Sequence, residues 1–443
     1  MGYLCAGWVE KDGKRHKCQF TEEADGFLFG LQGYCRFHLP MGAEGEGGKT
    51  DWDDEAKAAF STAVIQRFDT EMTKPEESRA ALYFAGIVVP GRLDLHGKKI
   101  PDVSFRCAVF SHFAVFSDAQ FSAYADFREV EFAADAIFSG AKFSAYADFR
   151  KARFFSPVVF SDAQFFGPVV FSEAQFAGSV DFSEAQFSGG AYFSNAQFSG
   201  DAIFSGGQIP GSGNIRSFKW LSFASAVFAG AVDFSDRQFQ GRTDFRVREF
   251  KRAPRFHGSV LHQDTAFPRI ECFHERDTED AARAYQTLRL AMENHRARQA
   301  EGMFFALEQE SRRRSGEFTG IAKWISLAYE KGSSYGLSIM RPLWAFFCIF
   351  FVSATIVMHI TAYSGVRSLG ADGPEIAGDA IVFSFRQSVI PFDAFRQRPE
   401  ELKKWKLFPE PQGLFQILAA IQSVLSALCI LLLVLAVRWR YRR

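Results

Sequence analysis

Four side chains near the start of the chain have the types and spacing for metal chemistry. Cys5, Cys18, Cys35 and His38 follow the pattern C-x12-C-x16-C-x2-H. Zinc takes four nitrogen or sulfur ligands in a tetrahedron, and a C-x2-H pair presents two of them from one tight turn. Three thiolates and one imidazole close that shell, so the cofactor expected is a structural zinc with no open position for catalysis. His16 reads as a spare surface histidine. The competing reading is a short tail with unrelated cysteines; the lack of an oxidising context weighs towards metal.

Nothing else promises catalysis. Ser117, Ser161, Ser172 and Ser183 recur beside phenylalanine, and recurrence places them at chain corners, where hydroxyls satisfy backbone groups. His257, His262 and His274 lack ligand spacing, and no glycine-rich phosphate loop or nucleophile elbow occurs, so no enzyme is expected. A second polar set lies near the C-terminus. Gln387, Ser388, Val389, Ile390 and Pro391 end an apolar stretch too short to cross a bilayer, and Gln416, Ser423 and Ser426 form a stripe with Ala419 and Ala427 on an apolar segment. The stripe suits either a pore lining or close helix packing.

These groups must be held by two unlike regions. The first is a schedule of phenylalanines: Phe160, Phe165, Phe171, Phe176, Phe182 and Phe187 return after five residues, then six, then five again. A five-residue step rotates a helix by about 140°, so successive rings share no helical face. The same odd step sends them to opposite faces of a long strand. The chain must turn between them, and corners of Ser, Gly, Ala, Asp and Asn let every ring point inward from a short edge. The repeat is therefore an eleven-residue unit, and two units per coil keep every column aligned. The register runs from Phe105 to Phe204; upstream, Phe84, Val89, Leu95 and Ile100 hold the same slots in an atypical first coil beginning near Ala81. It slips around Pro210–Asn214, read as a protruding loop, and resumes from Phe223 to Phe256. About eight coils at ~4.8 Å are expected.

The copies of Phe182-Ser183-Glu184-Ala185-Gln186-Phe187-Ser188-Gly189 resemble the pentapeptide-repeat proteins, in the variant F-S-x-A-x-F-S-G-x-A-x. The resemblance covers about 84–256. It implies a right-handed quadrilateral β-helix with Phe stacked inside and Ala in the adjacent small slot, although the extra residue in alternate units departs from the strict five-residue pattern. The stretch 5–40 is similar to small Cys-Cys-Cys-His modules ending in YC-x-x-H, and that likeness implies the same four residues as ligands.

The chain has 443 residues and a formal net charge of zero, which removes the electrostatic case for nucleic-acid binding. Arg128, Lys142, Arg150, Lys151 and Arg153 interrupt the acidic face that a DNA mimic requires. Seven cysteines, with no charged-then-apolar leader before Cys5, point to a reducing interior for the bulk of the chain. Beyond Phe267 the sequence turns helical, as a hairpin broken near Ala300–Gly302. Ile321, Trp324, Ile325 and Ala328, flanked by Lys323 and Lys331, suit a helix lying on a membrane surface.

Pro342–Tyr363 and Leu414–Val437 each reach the ~20 apolar residues needed to span a bilayer. Arg312–Arg314 before the first and RWRYRR after the second put both ends in the cytoplasm, in an inner (plasma) membrane. Two spans around a segment that dips in and returns resemble the pore module of two-helix ion channels, without the potassium filter T-V-G-Y-G.

The organisation expected is thus a zinc-binding-like module at 1–45, a helical linker at 46–80, a β-helix at 81–267, a helical linker with an interfacial helix at 268–335, and a two-helix membrane module at 336–443. The fold class is mainly β solenoid with an α-helical linker and two transmembrane helices. The function expected first is an oligomeric channel-like pore with a cytoplasmic sensor rod. The alternative is a membrane-tethered interaction scaffold. Partners expected are the lipid membrane, further copies of the chain, and a protein on the β-helix surface; no nucleic acid is expected.

Overall fold

The computed structural model describes residues 9–11, 14–16, 28–29, 34–35, 41, 48–206, 217–363, 373–389 and 413–441. The chain divides into two compact units, Met1–His295 and Arg296–Arg443.

The first unit is a β-solenoid of about seven turns. Parallel pairing sets Phe121 against Phe143 and Phe143 against Phe165, a turn of 22 residues, as two eleven-residue units require. An 8-stranded and a 7-stranded sheet form two sides, and a 13-stranded sheet supplies the rest, the longer strands Gln186–Tyr192 and Ser217–Ser222 belonging to it. Each ring lies flat on the one a turn away, Phe121 on Phe143 at 4.5 Å and 3°, while neighbouring columns meet edge to face, as Phe127 meets Phe138 at 5.7 Å and 87°. Offset stacking along a column and T-shaped contact across it are both favourable aromatic geometries. Val89, Leu95 and Ile100 are buried in the first coil and continue these columns.

The corners explain the alternation of five and six. Between Phe105 and Phe110 a tight turn closes when the Ala108 amide donates to Phe105 O at 2.9 Å, with Cys107 at φ 56°. The same place is held at positive φ by Asp118, Glu129, Lys151, Asp162, Glu173, Glu184 and Asn195. A type II turn demands a left-handed residue there. The six-residue step instead carries one more residue around a bend, as at Ser111–Phe113.

Both ends of the stack are covered. Helix α1 (Asp54–Met72), whose first turn is capped by the Asp53 carboxylate accepting from the Ala56 amide at 2.7 Å, buries Phe60, Val64 and Phe68. Phe68 lies 5.2 Å from Phe84, and Lys98 bonds Asp69 at 2.6 Å. The buried Lys49 donates to Val88 O and lies over the Phe60 ring at 4.2 Å. The stretch expected as a linker is therefore largely a lid on the aromatic core, because spacing of four puts three apolar side chains on one helical face. At the other end Phe273 stacks on Phe250 at 5.4 Å, and Tyr285 from helix α2 (Glu279–Asn294) meets Phe273 edge-on at 5.8 Å.

One position breaks the pattern inside the rod. Arg237 occupies the slot that Ala185 fills in its own unit, yet is only 1% exposed. Its guanidinium donates to Ala185 O and Phe182 O, each at 2.8 Å, and to Phe204 O, and lies 5.1 Å from the Phe218 ring. The equivalents of Ala185 O, such as Ala163 O, accept instead from a backbone amide 23 residues later, Gln186 N at 2.8 Å. A Cβ on Gly206 would come within 2.8 Å of the guanidinium, so the absence of a side chain there admits it. The loop expected at Pro210–Asn214 lies outside the described residues.

The second unit is helical: α3 (Arg298–Arg314), α4 (Gly320–Ser333), α5 (Met340–Tyr363), α6 (Gly373–Val389) and α7 (Gly413–Tyr441). The break before α3 falls at 295–297, not at Ala300–Gly302; Arg296 takes the left-handed conformation, φ 54°, and Gly302 is buried within the helix. Met340–Ile360 and Gln416–Arg438, 21 and 23 residues, are long and apolar enough to cross a membrane.

Candidate functional site

The site with most unexplained polarity lies among α5, α6 and α7. Along α6, Ile376, Ala380, Phe383, Ser384, Gln387 and Ser388 are buried, the spacing of one helical face, while Ile381, Val382, Phe385 and Val389 are about half exposed on the other. Ala380 and Phe383 join Val357 of α5 and Ala419 of α7 in an apolar cluster. Beside it sits a hydrogen-bonded hub, Gln422 of α7. Its Nε2 donates to Ser384 O and to Ser388 Oγ, both at 2.9 Å, and its Oε1 accepts from Ser353 Oγ of α5. Ser423 Oγ donates to Gln387 O at 3.2 Å and to Gln387 Oε1 at 3.1 Å, and Ser426 Oγ donates to Ser388 Oγ at 3.4 Å.

The order of these contacts fixes the directions of the helices. Ala380, Ser384, Gln387 and Ser388 meet Ala419, Gln422, Ser423 and Ser426 in ascending order, so α6 and α7 run the same way. Val357 joins Ala419 while Ser353 bonds Gln422, so α5 runs against α7. Helix α6 thus enters at the end where α7 begins and stops level with Ser426, roughly 20 Å along α7 at 1.5 Å per residue. From Val389 the chain has to come back to Gly413.

Of the polar residues singled out from sequence, Gln387, Ser388, Ser423 and Ser426 are brought together here. They are buried against one another within one chain, where they fasten α6 to α7. Val389 is 48% exposed at the end of α6. Gln416 is exposed, because the packed stripe starts at Ala419, where Val357, Ala380 and Phe383 meet it. Ile390 and Pro391 lie outside the described residues. Ser353, Ser384 and Gln422 were missed; Gln422 was legible as the i+3 neighbour of Ala419 on the same face as Ser423 and Ser426. Ser384 Oγ and Gln387 Nε2 are buried without a partner among the described residues.

Helix α4 carries Ile321, Trp324 and Ile325 at 78%, 70% and 64% exposure on one face. The helix expected at a membrane surface thus presents an outward apolar face. Its other side is tied down by Ser326 Oγ and Tyr335 Oη at 3.0 Å, and by the ion pair of Glu330 with Arg313. Arg312 and Arg314 pair with Glu308 and Glu310 one turn back.

On the rod, the densest polar cluster is the duplicated Tyr-Ala-Asp-Phe-Arg of residues 124–128 and 146–150. The tyrosine rings stack at 5.6 Å, Asp126 takes Arg128 at 2.8 Å and Asp148 takes Arg150 at 2.6 Å. Burial, then the two carboxylates, push the Tyr124 phenol well above its ordinary range. Paired carboxylates and firmly protonated phenols make a ladder that binds adjacent coils and offers no nucleophile.

Cys5, Cys18 and His38 lie outside the described residues. Cys35 ends a two-residue strand, Tyr34–Cys35, paired antiparallel with Leu28–Phe29. Among the described residues no group of three or more His, Cys, Asp or Glu side chains is arranged to hold a metal.

The architecture defines a class: a phenylalanine-cored β-solenoid followed by a helical unit with two membrane-length helices. Residues 116–164 and 160–208 match the family model described as pentapeptide repeats (9 copies), so these turns of the solenoid are pentapeptide repeats. No curated protein and no solved structure matches the chain.

Proposed function

We propose that the chain is an oligomeric, channel-like membrane protein whose pentapeptide-repeat rod senses or binds a partner, with α5 and α7 as spans of an inner (plasma) membrane and both termini cytoplasmic. One observation carries this reading: α6 runs into the bundle parallel to α7, stops partway along it, and leaves the chain to return. A chain that enters a membrane and returns to the same side needs protein or a water-filled cavity to shelter its turn. A tether has no use for such a segment, since one apolar helix suffices. The Gln422 network then holds the entering helix in place, and the segment after Val389 is the pore candidate.

The second reading, a membrane-tethered interaction scaffold, is favoured by the closure of the polar side chains within a single chain. Ion flux from liposomes holding the purified full-length protein separates the two. Sealed liposomes, together with unchanged cellular function after α5–α7 are exchanged for an unrelated membrane helix, would reject the channel.

A structural zinc on Cys5, Cys18, Cys35 and His38 is part of the proposal, supported by the spacing of the ligands. Full-length protein prepared without chelator should carry one zinc per chain, and Cys35→Ser should lose it.

A further inference from the structure

Helix α4 is inside out by the standard of a helix in water. Ile321, Trp324, Ile325 and Ala328, at the i, i+3, i+4 and i+7 spacing of one helical face, are all exposed. Ser326 and Ser333 on the other side are buried, Ser326 Oγ against Tyr335 Oη. Past the end of the helix Leu337, Met340 and Trp344 are exposed as well. A surface that turns its hydroxyls in and its large apolar side chains out calls for an apolar neighbour.

Level and charge identify that neighbour. Gly332, in the last turn of α4, lies against α7: a Cβ there would come within 2.8 Å of Leu432 Cδ1. Leu432 stands six residues before Arg438, where the apolar stretch of α7 ends, which is roughly 9 Å at 1.5 Å per residue. Helix α5 runs against α7 and begins at Met340, so α4 leads into the same end of the bundle that Leu432 marks. Around α4, Glu310, Glu317 and Glu330 are each paired with an arginine, Arg314, Arg312 and Arg313. Lys323, Lys331 and Arg341 are exposed and make no ion pair among the described residues. Lys331 follows Ala328 by three residues, at the edge of the apolar row, and Arg341 stands in the first turn of α5. The charge left uncompensated beside the apolar face is therefore positive.

We propose that α4 docks on the bilayer, with Ile321, Trp324 and Ile325 sunk into the headgroup–acyl boundary of the leaflet where α5 begins and α7 ends, and with Lys331 and Arg341 on anionic lipid headgroups. An interfacial helix buries its apolar face ~5–10 Å into that boundary, and the contact of Gly332 with Leu432 falls at this depth. Tryptophan rings favour the headgroup level, and Trp344, one turn into α5, belongs to the same belt. Cations beside an anionic leaflet add attraction to the apolar burial. This rests on α5 and α7 being spans, and it adds to them a third contact with the bilayer, of stated depth and charge. The Arg313–Glu330 pair then fastens the end of α3 to a helix held at the surface.

Photocrosslinking of the full-length protein in liposomes of phosphatidylcholine and phosphatidylglycerol in equal amounts tests it. The benzophenone amino acid p-benzoylphenylalanine replaces Trp324, or Leu428 on the outer face of α7, or Glu173 on the rod, and adducts are read by mass spectrometry. Lipid adducts are expected at 324 and 428 and none at 173. Those at 324 should favour phosphatidylglycerol about threefold over those at 428, and Lys331→Gln with Arg341→Gln should remove that bias. Lipid at 428 without lipid at 324 would overturn the docking of α4 and leave the spans standing. No lipid at 428 would reject the spans, and the docking with them. A peptide adduct at 324 in place of lipid would show that a second copy or another protein covers the face, and an unbiased lipid ratio at 324 would overturn the anionic leaflet.

Discussion

The two units of this chain are inversions of each other. The solenoid hides phenylalanine in columns and turns Lys142, Gln164 and Glu173 outward; the helical unit hides Gln422, Ser423, Gln387 and Ser388 and turns Ile381, Phe385, Leu428 and Leu431 outward. In water the apolar side chains are driven inward by the hydrophobic effect. In lipid that force between helices disappears, and what draws them together is close packing and hydrogen bonding of small polar groups. The surface of the helical unit is thus of the kind that lipid would suit, and that of the solenoid of the kind that water suits. Substitutions that reverse inside and outside should have opposite consequences in the two.

The largest effect is expected in the rod. Phe171 is fully buried between Phe149 at 4.7 Å and Phe193 at 5.0 Å. Phe171→Asp places an unpaired carboxylate there at a cost of several kcal/mol, on the order of a domain's whole margin of about 5–15 kcal/mol. Loss of the folded rod by circular dichroism is expected, while Glu173→Gln on the outer surface should leave the melt unchanged. Equal tolerance at the two positions would break the inward-Phe description.

Arg237 gives the next effect, and here sequence pattern and structure disagree. The repeat places alanine in that slot, so pattern alone favours Arg237→Ala. The structure favours the opposite outcome, because Phe182 O, Ala185 O and Phe204 O would lose their guanidinium donors inside the rod. Phe182 O keeps the Ala185 amide as donor, and leaving the other two buried carbonyls unpaired costs roughly 1–3 kcal/mol each. Arg237→Lys should recover little, since one ammonium cannot reproduce the planar fork. A denaturant midpoint unchanged by Arg237→Ala would show that the carbonyls find other donors.

A charge on the outside of the helical unit comes third. Leu428, 46% exposed near the middle of α7, should tolerate no cation: Leu428→Lys is expected to impair insertion by about 2.5–3.5 kcal/mol. Gln164→Lys on the outside of the rod should cost nothing measurable. Membrane-fraction assays of the two variants sharpen the inversion directly. If Leu428→Lys inserts normally, that face of α7 does not meet lipid.

How much of this was legible follows from the period of each element. The eleven-residue schedule named the inward columns one by one, down to Val89, Leu95 and Ile100, because a solenoid writes its geometry into every unit. The lid formed by Phe60, Val64 and Phe68 was overlooked, since a single short helix carries no repetition and its apolar positions look unremarkable until an end to cover is seen. In the helical unit the stripe of Ser423 and Ser426 was visible, but its partner was not. Only the packing of α6 shows that these hydroxyls bond Gln387 and Ser388 within one chain. Gln416 was included and Gln422 omitted because the stripe was drawn without knowing where the third helix meets it.

Gln422→Leu is the fourth test and a milder one. Interhelical hydrogen bonds in membranes contribute about 0.6–2 kcal/mol, and the serines left behind can bond carbonyls of their own helices. The protein should insert and remain intact, with faster proteolysis near α6 as the helix loses its anchor on Ser384 and Ser388. Conduction, where present, should fall more than stability does. Equal protection of wild type and variant would mean that apolar contacts at Val357, Phe383 and Ala419 hold α6 unaided.

The smallest effect concerns the corners, which have no counterpart in the helices of the second unit. Glu184 occupies the left-handed place of its turn at φ 60°, and one unit later Asn195 occupies the same place at φ 58°. A side chain with a Cβ pays for that conformation with crowding against the following carbonyl, least for asparagine and most for β-branched residues. Glu184→Asn should raise stability by a few tenths of a kcal/mol, up to about 1, visible as a shift of roughly 1–3 °C in the melt. Glu184→Val should lower it by about 1–2 kcal/mol although the position faces solvent. The same pair of changes at Gln186, two residues on and in the strand with its side chain outward, should reverse in sign, since valine suits an extended strand and asparagine does not. Should valine prove as acceptable as asparagine at 184, the left-handed corner would not be what allows a five-residue step, and the alternation of five and six would need another cause.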